Sequence, residues 1–176
     1  QPFDDGQQSV LNNRIPPHNF EAEKALLGAI FANNNAYDRV SGYLRSDHFA
    51  DPIHGKIYHA TSKLIERGQI ADPITLRTFF EQDDSLKDVG GSKYLAEIAG
   101  SMVSVINSAE YGRTIYDLHL KRQLIELGEQ VVNRAHASEV DDMALQQIEQ
   151  AEQTLYDLAT TGEIEGGFQE FKNSVL

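Results

Sequence analysis

Apolar residues recur every three or four positions through most of the chain, which is the spacing of helices with one buried face. In the first such segment, residues 19 to about 31, the face consists of Ala22, Ala25, Leu26, Ala29 and Ile30. Asn19 is expected to cap this helix after the extended backbone that Pro16 and Pro17 impose. Glu21 and Glu23 then lie in the first turn, where the helix dipole favours negative charge.

Two Asp-Pro pairs mark further helix starts, because aspartate caps a helix and proline suits its first position. They are Asp51-Pro52 and Asp72-Pro73. Short helices are also predicted from Tyr37 to Leu44 and from Ser92 onward. The chain shows no alternating strand pattern of convincing length. Residues 14–104 are therefore predicted to form a compact helical bundle.

The character of the chain changes at residue 107. Residues 107–136 contain no proline and predict one helix of about 45 Å at ~1.5 Å per residue. A polar link leads to a second helix with a heptad seam at Ala144, Ile148, Ala151, Leu155 and Leu158. The two helices predict an antiparallel hairpin over residues 105–159, and the chain as a whole is predicted to be all-α. Their apolar stripes exceed what each arm covers on the other, so the hairpin either pairs with another copy or folds back onto the bundle.

Both ends of the chain differ from the helical part. Residues 1–13 have few apolar side chains and predict a disordered tail. Residues 160–176 predict a flexible linker and the start of a further amphipathic helix, with Phe168 and Phe171 on its apolar face. Because this helix stops with its apolar face formed and the chain lacks an initiating methionine, we expect a fragment of a longer protein.

Charge and composition narrow the function classes. The chain has 27 acidic and 15 basic residues, a net charge of −12. Phosphate binding needs concentrated lysine and arginine, so direct nucleic-acid binding is not expected. The apolar runs are shorter than the ~18 residues of a membrane span, and no signal sequence is visible. The absence of cysteine fits a cytoplasmic protein, and we expect it to act by contacting other proteins.

The sequence carries no catalytic motif. Gly55-Lys56 lacks the upstream glycine and the hydroxyl of a phosphate-binding P-loop. His54 and His59 are about 140° apart around a helix, which does not suit one metal ion, and His54 is interpreted as a packing residue. Ser46-Asp47-His48 contains triad residue types without a nucleophile elbow. We therefore expect no enzyme activity, cofactor or metal in this chain.

A series of short motifs resembles the N-terminal domain of bacterial DnaB-family replicative helicases. The longest runs from Arg14 to Gly28. The others follow in family order: Asp47-His48-Phe49, His54 to Tyr58, Asp72 to Leu76, Val89 to Leu95, Asn107 with Tyr111, and Lys121 to Ile125. The resemblance covers roughly residues 14–176. The chain departs from the family at Val103-Ser104, where a Pro-Thr step is common.

The resemblance implies a hexameric, ATP-dependent helicase that encircles single-stranded DNA, with a magnesium- and ATP-using motor C-terminal to this chain. N-terminal domains of the family pair through their hairpins, three pairs form a collar, and the collar recruits the C-terminal domain of a DnaG-type primase. The implied primase-binding residues are Glu21, Tyr94, Ile125 and Val131. The implied hairpin-pairing residues are Tyr111, Ile115, Leu118, Ile148 and Leu155. Phe168 and Phe171 are implied to dock on the motor domain of a neighbouring subunit.

Structural roles are open for the four implied primase-binding residues. Glu21 also fits a helix-dipole residue, Tyr94 a core side chain with a satisfied hydroxyl, and Ile125 and Val131 contacts with the other hairpin arm. Two other functions are open for the whole chain. One is a stand-alone helical adaptor or regulator of the helicase–primase complex, and the other is an enzyme that uses the histidines with a metal.

Overall fold

The structure is a computed structural model that describes residues 14–81, 84–137 and 139–162. These ranges contain helices and turns and no β-strand, so the predicted all-α class is confirmed. The α-helices are α1 (Phe20–Ala32), α2 (Pro52–Glu66), α3 (Pro73–Phe80), α4 (Ser92–Gly100), α5 (Ser108–His136) and α6 (Ala144–Gly162). Short 3-10 helices span Asn34–Arg39, Ser46–His48 and Asp84–Val89. The predicted tail (1–13), Phe168, Phe171 and the linker beyond residue 162 lie outside the described residues.

The predicted helix caps at the starts of α1, α2 and α3 are confirmed. The side chain of Asn19 accepts a 2.9 Å hydrogen bond from the backbone N–H of Ala22. Asp51 accepts one of 2.9 Å from Ile53, and Asp72 caps α3 in the same way. These short polar side chains satisfy N–H groups that have no partner inside the helix, which is why the sequence located these starts.

Two predicted boundaries differ in the structure. The helix predicted from Tyr37 to Leu44 is instead the 3-10 helix Asn34–Arg39 followed by turns. The segment begins at Asn34, earlier than predicted. Asn34 is held there because its side-chain amide donates to Ile30 O and Ala71 O at 2.8 Å each. At the other end, α6 continues to Gly162, whereas the linker was predicted to begin at residue 160.

The bundle is built around α1, whose side chains Leu26, Leu27 and Ile30 are fully buried. Helix α1 packs chiefly against α4 and α5. A Cβ added at Gly28 would lie 2.5 Å from the carbonyl oxygen of Ile98, so the absence of a side chain lets α1 and α4 approach closely. The large residues of α1 therefore form the centre of the core.

Helix α5 joins the bundle to the hairpin. Its amino-terminal part packs on the bundle, where Ser108, Gly112 and Ile115 are buried. Farther along, Arg122 donates to the backbone carbonyls of Pro17 (2.9 Å) and His48 (2.8 Å). Helix α6 packs mainly against the distal part of α5. The hairpin thus has one end seated on the bundle, and its distal arms have mainly each other as neighbours.

Candidate functional site

The distal hairpin leaves a wide apolar groove between its arms. The groove has a volume of about 950 Å³ and is lined by residues of α5 from Leu127 to Ala135 and of α6 from Ala144 to Leu155. Val131, Ile148 and Leu155 line it and are 43%, 52% and 46% exposed. Apolar side chains that remain half exposed in this way favour burial against another surface.

The polar side chains that line the groove indicate which kind of ligand it can bind. Most of its polar lining is uncharged, namely Gln130, Asn133, Gln147, Gln150 and Thr154. Arg134 is one of the two charged lining residues, and its Nε and Nη2 donate to the carboxylate of Asp142 at 2.6 Å each. Its charge is therefore compensated within the tip of the hairpin. The groove suits an apolar helix rather than a charged ligand.

A second cluster brings together two of the predicted partner-binding residues. Lys24 Nζ lies 3.8 Å from Glu21 Oε1 and 3.8 Å from Glu97 Oε1. The same ammonium group lies 6.0 Å from the ring centroid of Tyr94. Glu21 is exposed on the first turn of α1, whereas Tyr94 is only 9% exposed. Glu21 is therefore accessible to solvent, whereas Tyr94 is largely covered.

Tyr94 also belongs to a buried polar network that the sequence did not reveal. His54 is fully buried, as predicted for a packing residue, and it lies between two partners. Its Nδ1 is 2.9 Å from Glu23 Oε1, and its Nε2 has a short contact with the Tyr94 hydroxyl. Burial, followed by the charge of Asp51, raises the pKa of Tyr94 to about 12, so its hydroxyl stays protonated and can donate.

Glu23 was interpreted only as a helix-dipole residue, because nothing local in the sequence distinguishes it from Glu21. In the structure its carboxylate accepts hydrogen bonds from the backbone N–H groups of Ala50 (2.9 Å) and Asp51 (3.2 Å). The position of Glu23 on the buried side of α1, next to Ala22, was the available signal. The contacts themselves join residues at least 27 positions apart, beyond the range of helical spacing rules.

Histidines also line the contact between α5 and the Ser46–His48 turn. The rings of His48 and His119 have centroids 4.4 Å apart. Burial, followed by the nearby His119, lowers the pKa of His48 to about 4. Burial and then Arg122 lower the pKa of His119. The His48 ring is therefore neutral at pH 7, and its Nδ1 accepts a 2.9 Å hydrogen bond from the backbone N–H of Arg45 while the ring packs against His119.

The remaining predicted site residues are placed as follows. Ile115 is buried in the core of the bundle, and Tyr111 packs against that core. The pairing role implied for Ile115 does not match its place, because its side chain is already buried within the chain. Tyr111 is only partly buried, and its implied pairing role stays a prediction. Leu118 is half-buried. Ile125 is exposed on α5 one turn beyond Arg122 and is not among the groove-lining residues.

The described residues offer no arrangement suited to a metal ion or to a nucleotide phosphate. Among the described residues, no group of three or more histidines and carboxylates is arranged to hold a metal ion. The whole sequence lacks the P-loop pattern, so the residues present do not fit an ATP–magnesium unit. No helix within the described ranges is both long and apolar enough to cross a membrane.

Comparison with known proteins agrees with this architecture of bundle and hairpin. Residues 15–117 match the family described as DnaB-like helicase N terminal domain. The chain is 45% identical over 171 residues to the replicative DNA helicase DnaB of Rickettsia conorii, covering 97% of this chain and 35% of the relative. It is 34% identical over 152 residues to the replicative DNA helicase DnaC of Bacillus subtilis, covering 85% of this chain and 33% of the relative.

Two solved structures are similar as well. The N-terminal domain of DnaB helicase from Mycobacterium tuberculosis matches with a TM-score of 0.72 and 27% identity, covering 81% of this chain and 99% of that one. A DnaB-like replicative helicase, solved to show its interactions with primase, shares the fold with a TM-score of 0.63 and 23% identity, covering 89% and 34%.

These findings define a helical domain of the replicative-helicase type. The chain belongs to the DnaB-like helicase N-terminal domain family. It spans about a third of the length of the curated relatives it matches.

Proposed function

We propose that this chain is the collar domain of a bacterial replicative DNA helicase, where it assembles the ring and recruits a DnaG-type primase. The observation that carries the proposal is the half-exposed apolar groove of the hairpin. A groove formed by two helices is filled most simply by two more helices. A second copy supplies them through the same surface, as two-fold symmetric pairing requires. The whole protein is proposed to act in the cytoplasm and to use ATP and magnesium in a separate motor domain.

Self-pairing has to overcome the negative charge of the chain. At a net charge of −12, two copies repel each other over long distances. The groove keeps most of this charge away from the contact, because its lining is mainly apolar and amide. Three such pairs would form the hexameric collar. The segment with Phe168 and Phe171 is proposed to dock on the motor domain of a neighbouring subunit.

The primase contact is proposed to include Glu21 and the supporting Tyr94 on the bundle, with Ile125 and Val131 on α5. Glu21 and Ile125 are exposed, and the Lys24 cluster holds Glu21 beside Tyr94. The structure of a similar DnaB-like replicative helicase was solved together with a description of its interactions with primase, and this supports primase as the partner. Val131 also lines the hairpin groove, so its replacement is expected to affect self-pairing as well.

The recruitment test mixes this chain with the C-terminal domain of the cognate primase and measures the mass of the mixture by light scattering. Mass should be gained on mixing. Ile125→Asp should reduce that gain, because it places a charge on an apolar contact. Ile74→Asp is the control, since Ile74 is also an exposed isoleucine (80%, against 45% for Ile125) but lies on α3. If the mass does not rise, or if both variants behave alike, the recruitment role is wrong.

A further inference from the structure

One exposed face of α2 is basic, although the chain as a whole is strongly acidic. It carries Lys56, His59 and Lys63 and is continued by Arg67 at the C-cap; we call these four residues the basic stripe. At 3.6 residues per turn these positions fall within an arc of about 80° and extend about 16 Å along the helix. The neighbouring Glu66 accepts a 3.2 Å hydrogen bond from the Tyr37 hydroxyl. The stripe is thus a local cluster of basic residues, with the carboxylate of Glu66 at its edge, on a chain whose net charge is −12.

The distal cations of the stripe are not neutralised within the described part of the chain. Lys63 and Arg67 are exposed and form no ion pair with any described residue. By contrast, Arg77 on the adjacent α3 is paired with Glu81 at 3.5 Å, and Lys87 with Asp84 at 2.6 Å. Lys63 and Arg67 are thus available to carboxylates from outside.

The proximal end of the stripe enters an aromatic groove. This groove lies between α2, α3 and the Ser46–His48 turn and has a volume of about 690 Å³. Lys56 and His59 line it together with Phe49, Phe79 and Phe80. Phe79 is 46% exposed, so part of an aromatic ring faces the solvent here. A groove of this size accommodates one or two bulky side chains.

This surface is separate from the sites described above. His54 lies on the opposite side of α2 from the stripe, about 180° around the helix, where it contacts Glu23 and Tyr94. The hairpin groove is formed by α5 and α6 and shares no lining residue with the aromatic groove. A ligand on α2 therefore leaves both proposed contacts accessible.

We propose that the basic stripe and the aromatic groove bind an acidic peptide segment of a partner protein that carries a bulky apolar side chain. The apolar side chain packs against Phe79 in the groove, and carboxylates along the peptide contact Lys63 and Arg67. Aromatic anchors in pockets with cations at their rim are the usual source of affinity and specificity in such contacts. One carboxylate of this chain, Asp47, also lines the groove, so the carboxylates belong at the Lys63 end.

Charge decides between a peptide and a nucleic acid. A single strand of DNA carries a charge at every nucleotide and extends beyond the stripe, so most of its phosphates would face an acidic protein. A short peptide places its few carboxylates on the stripe alone. The acidic peptide is therefore the favoured occupant, and single-stranded DNA is the competing outcome of the test.

The probe is a fluorescein-labelled peptide built of aspartate and glycine with one central phenylalanine. Binding to this chain is measured by fluorescence polarisation, beside a labelled oligothymidylate. Lys63→Glu with Arg67→Glu should weaken peptide binding about tenfold or more, since two favourable charge contacts become repulsive. Phe79→Ala should weaken it as well. Shortening the Debye length from about 10 Å to about 3 Å with salt should reduce binding further.

The matched control is Arg113→Glu with Lys121→Glu, which changes the net charge equally at exposed positions on α5. It should reduce peptide affinity much less than the stripe variant. Circular dichroism shows whether each variant remains folded. The proposal is overturned if the peptide does not bind, if the two double variants weaken it equally, or if the oligothymidylate binds more tightly than the peptide.

Discussion

Glu23 Oε1 lies 2.9 Å from His54 Nδ1, and both side chains are almost fully buried. Because Glu23 also accepts from two backbone N–H groups ahead of α2, one carboxylate connects α1 with the start of α2. His54 in turn contacts the hydroxyl of Tyr94 on α4, so the network joins three helices. This network lies directly beneath the surface proposed to contact primase, so it holds that surface in place.

The carboxylate of Glu23 should be needed for stability. The groups around the Glu23 carboxylate are all hydrogen-bond donors. In Glu23→Gln, one carboxylate oxygen that accepts becomes an amide NH2 group that donates, so one of these donors loses its partner. We expect the free energy of unfolding to fall by about 1–3 kcal/mol, the usual cost of leaving a buried polar group without its partner. Urea denaturation measures this. Glu21→Gln is the control, because Glu21 is 84% exposed and should change stability by less than ~0.5 kcal/mol. Equal stability of the two variants would show that the network contributes little.

Gly28 and Gly128 should respond in opposite directions to alanine. At Gly28 a Cβ would lie 2.5 Å from Ile98 O and 3.3 Å from Met102 N, so α1 and α4 must move apart. Gly28→Ala is expected to cost about 1–3 kcal/mol. At Gly128 nothing lies within 4 Å, so alanine should raise stability by about 0.5–1 kcal/mol through its higher helix propensity. Thermal unfolding measures both effects. Unchanged or higher stability of Gly28→Ala would contradict the close approach of α1 and α4, and destabilisation by Gly128→Ala would contradict the open surroundings of Gly128.

Stability should decrease as the pH falls from about 6.5 toward 4. His48 has a folded-state pKa of about 4, below the ordinary value of about 6.5 that applies in the unfolded chain. The unfolded chain therefore takes up the proton first, and the native state loses stability across that window. Denaturation midpoints between pH 7 and pH 5 measure the slope. His48→Gln should make this slope less steep, because the variant lacks the group whose pKa differs between the folded and unfolded states. An unchanged slope in His48→Gln would exclude this group as the cause.

The sequence could predict the elements whose signals are local. Asp51-Pro52 and Asp72-Pro73 located helix starts because cap and proline act on adjacent residues. The helix expected from Tyr37 to Leu44 was wrong because Asn34 is held by Ala71, 37 positions away. Glu23 lies in the first turn of α1 as predicted, but its buried hydrogen bonds could not be predicted, because their partners are also distant in the sequence. A capping residue is recognised from its neighbours, whereas a buried polar contact depends on where the other helices lie.

The candidate site could be predicted only in part, because the burial of its residues depends on tertiary contacts. The heptad spacing of α6 predicted an apolar face with Ile148 and Leu155, and the structure leaves both half exposed. The spacing could not show that Ile115 is buried in the bundle and Tyr111 partly buried against it, because the stripe of α5 continues unbroken from the bundle into the hairpin. The position at which α5 leaves the bundle is set by tertiary contacts such as those of Arg122.

Arg134 should hold the tip of the hairpin. Its guanidinium donates twice to Asp142, and it also contacts Gln150 on α6. Arg134→Lys keeps the charge but loses the paired geometry, because an ammonium group cannot donate in parallel to both carboxylate oxygens. Amide hydrogen exchange should become several-fold faster in α6, with little change in α1. Lys121→Ala, which removes an exposed pair with Asp117, is the control. Equal protection of α6 in both variants would show that the tip does not depend on Arg134.

The central claim is that the hairpin groove pairs two copies of this chain, and its most direct test is the mass of the chain in solution by size-exclusion chromatography with light scattering. We predict a dimer or a larger even-numbered assembly. Ile148→Asp should lower that mass, because it places a carboxylate in the groove. Leu145→Asp on the same helix should not, because Leu145 is exposed outside the groove. A monomer at all concentrations, or equal masses for the two variants, would contradict pairing through this groove.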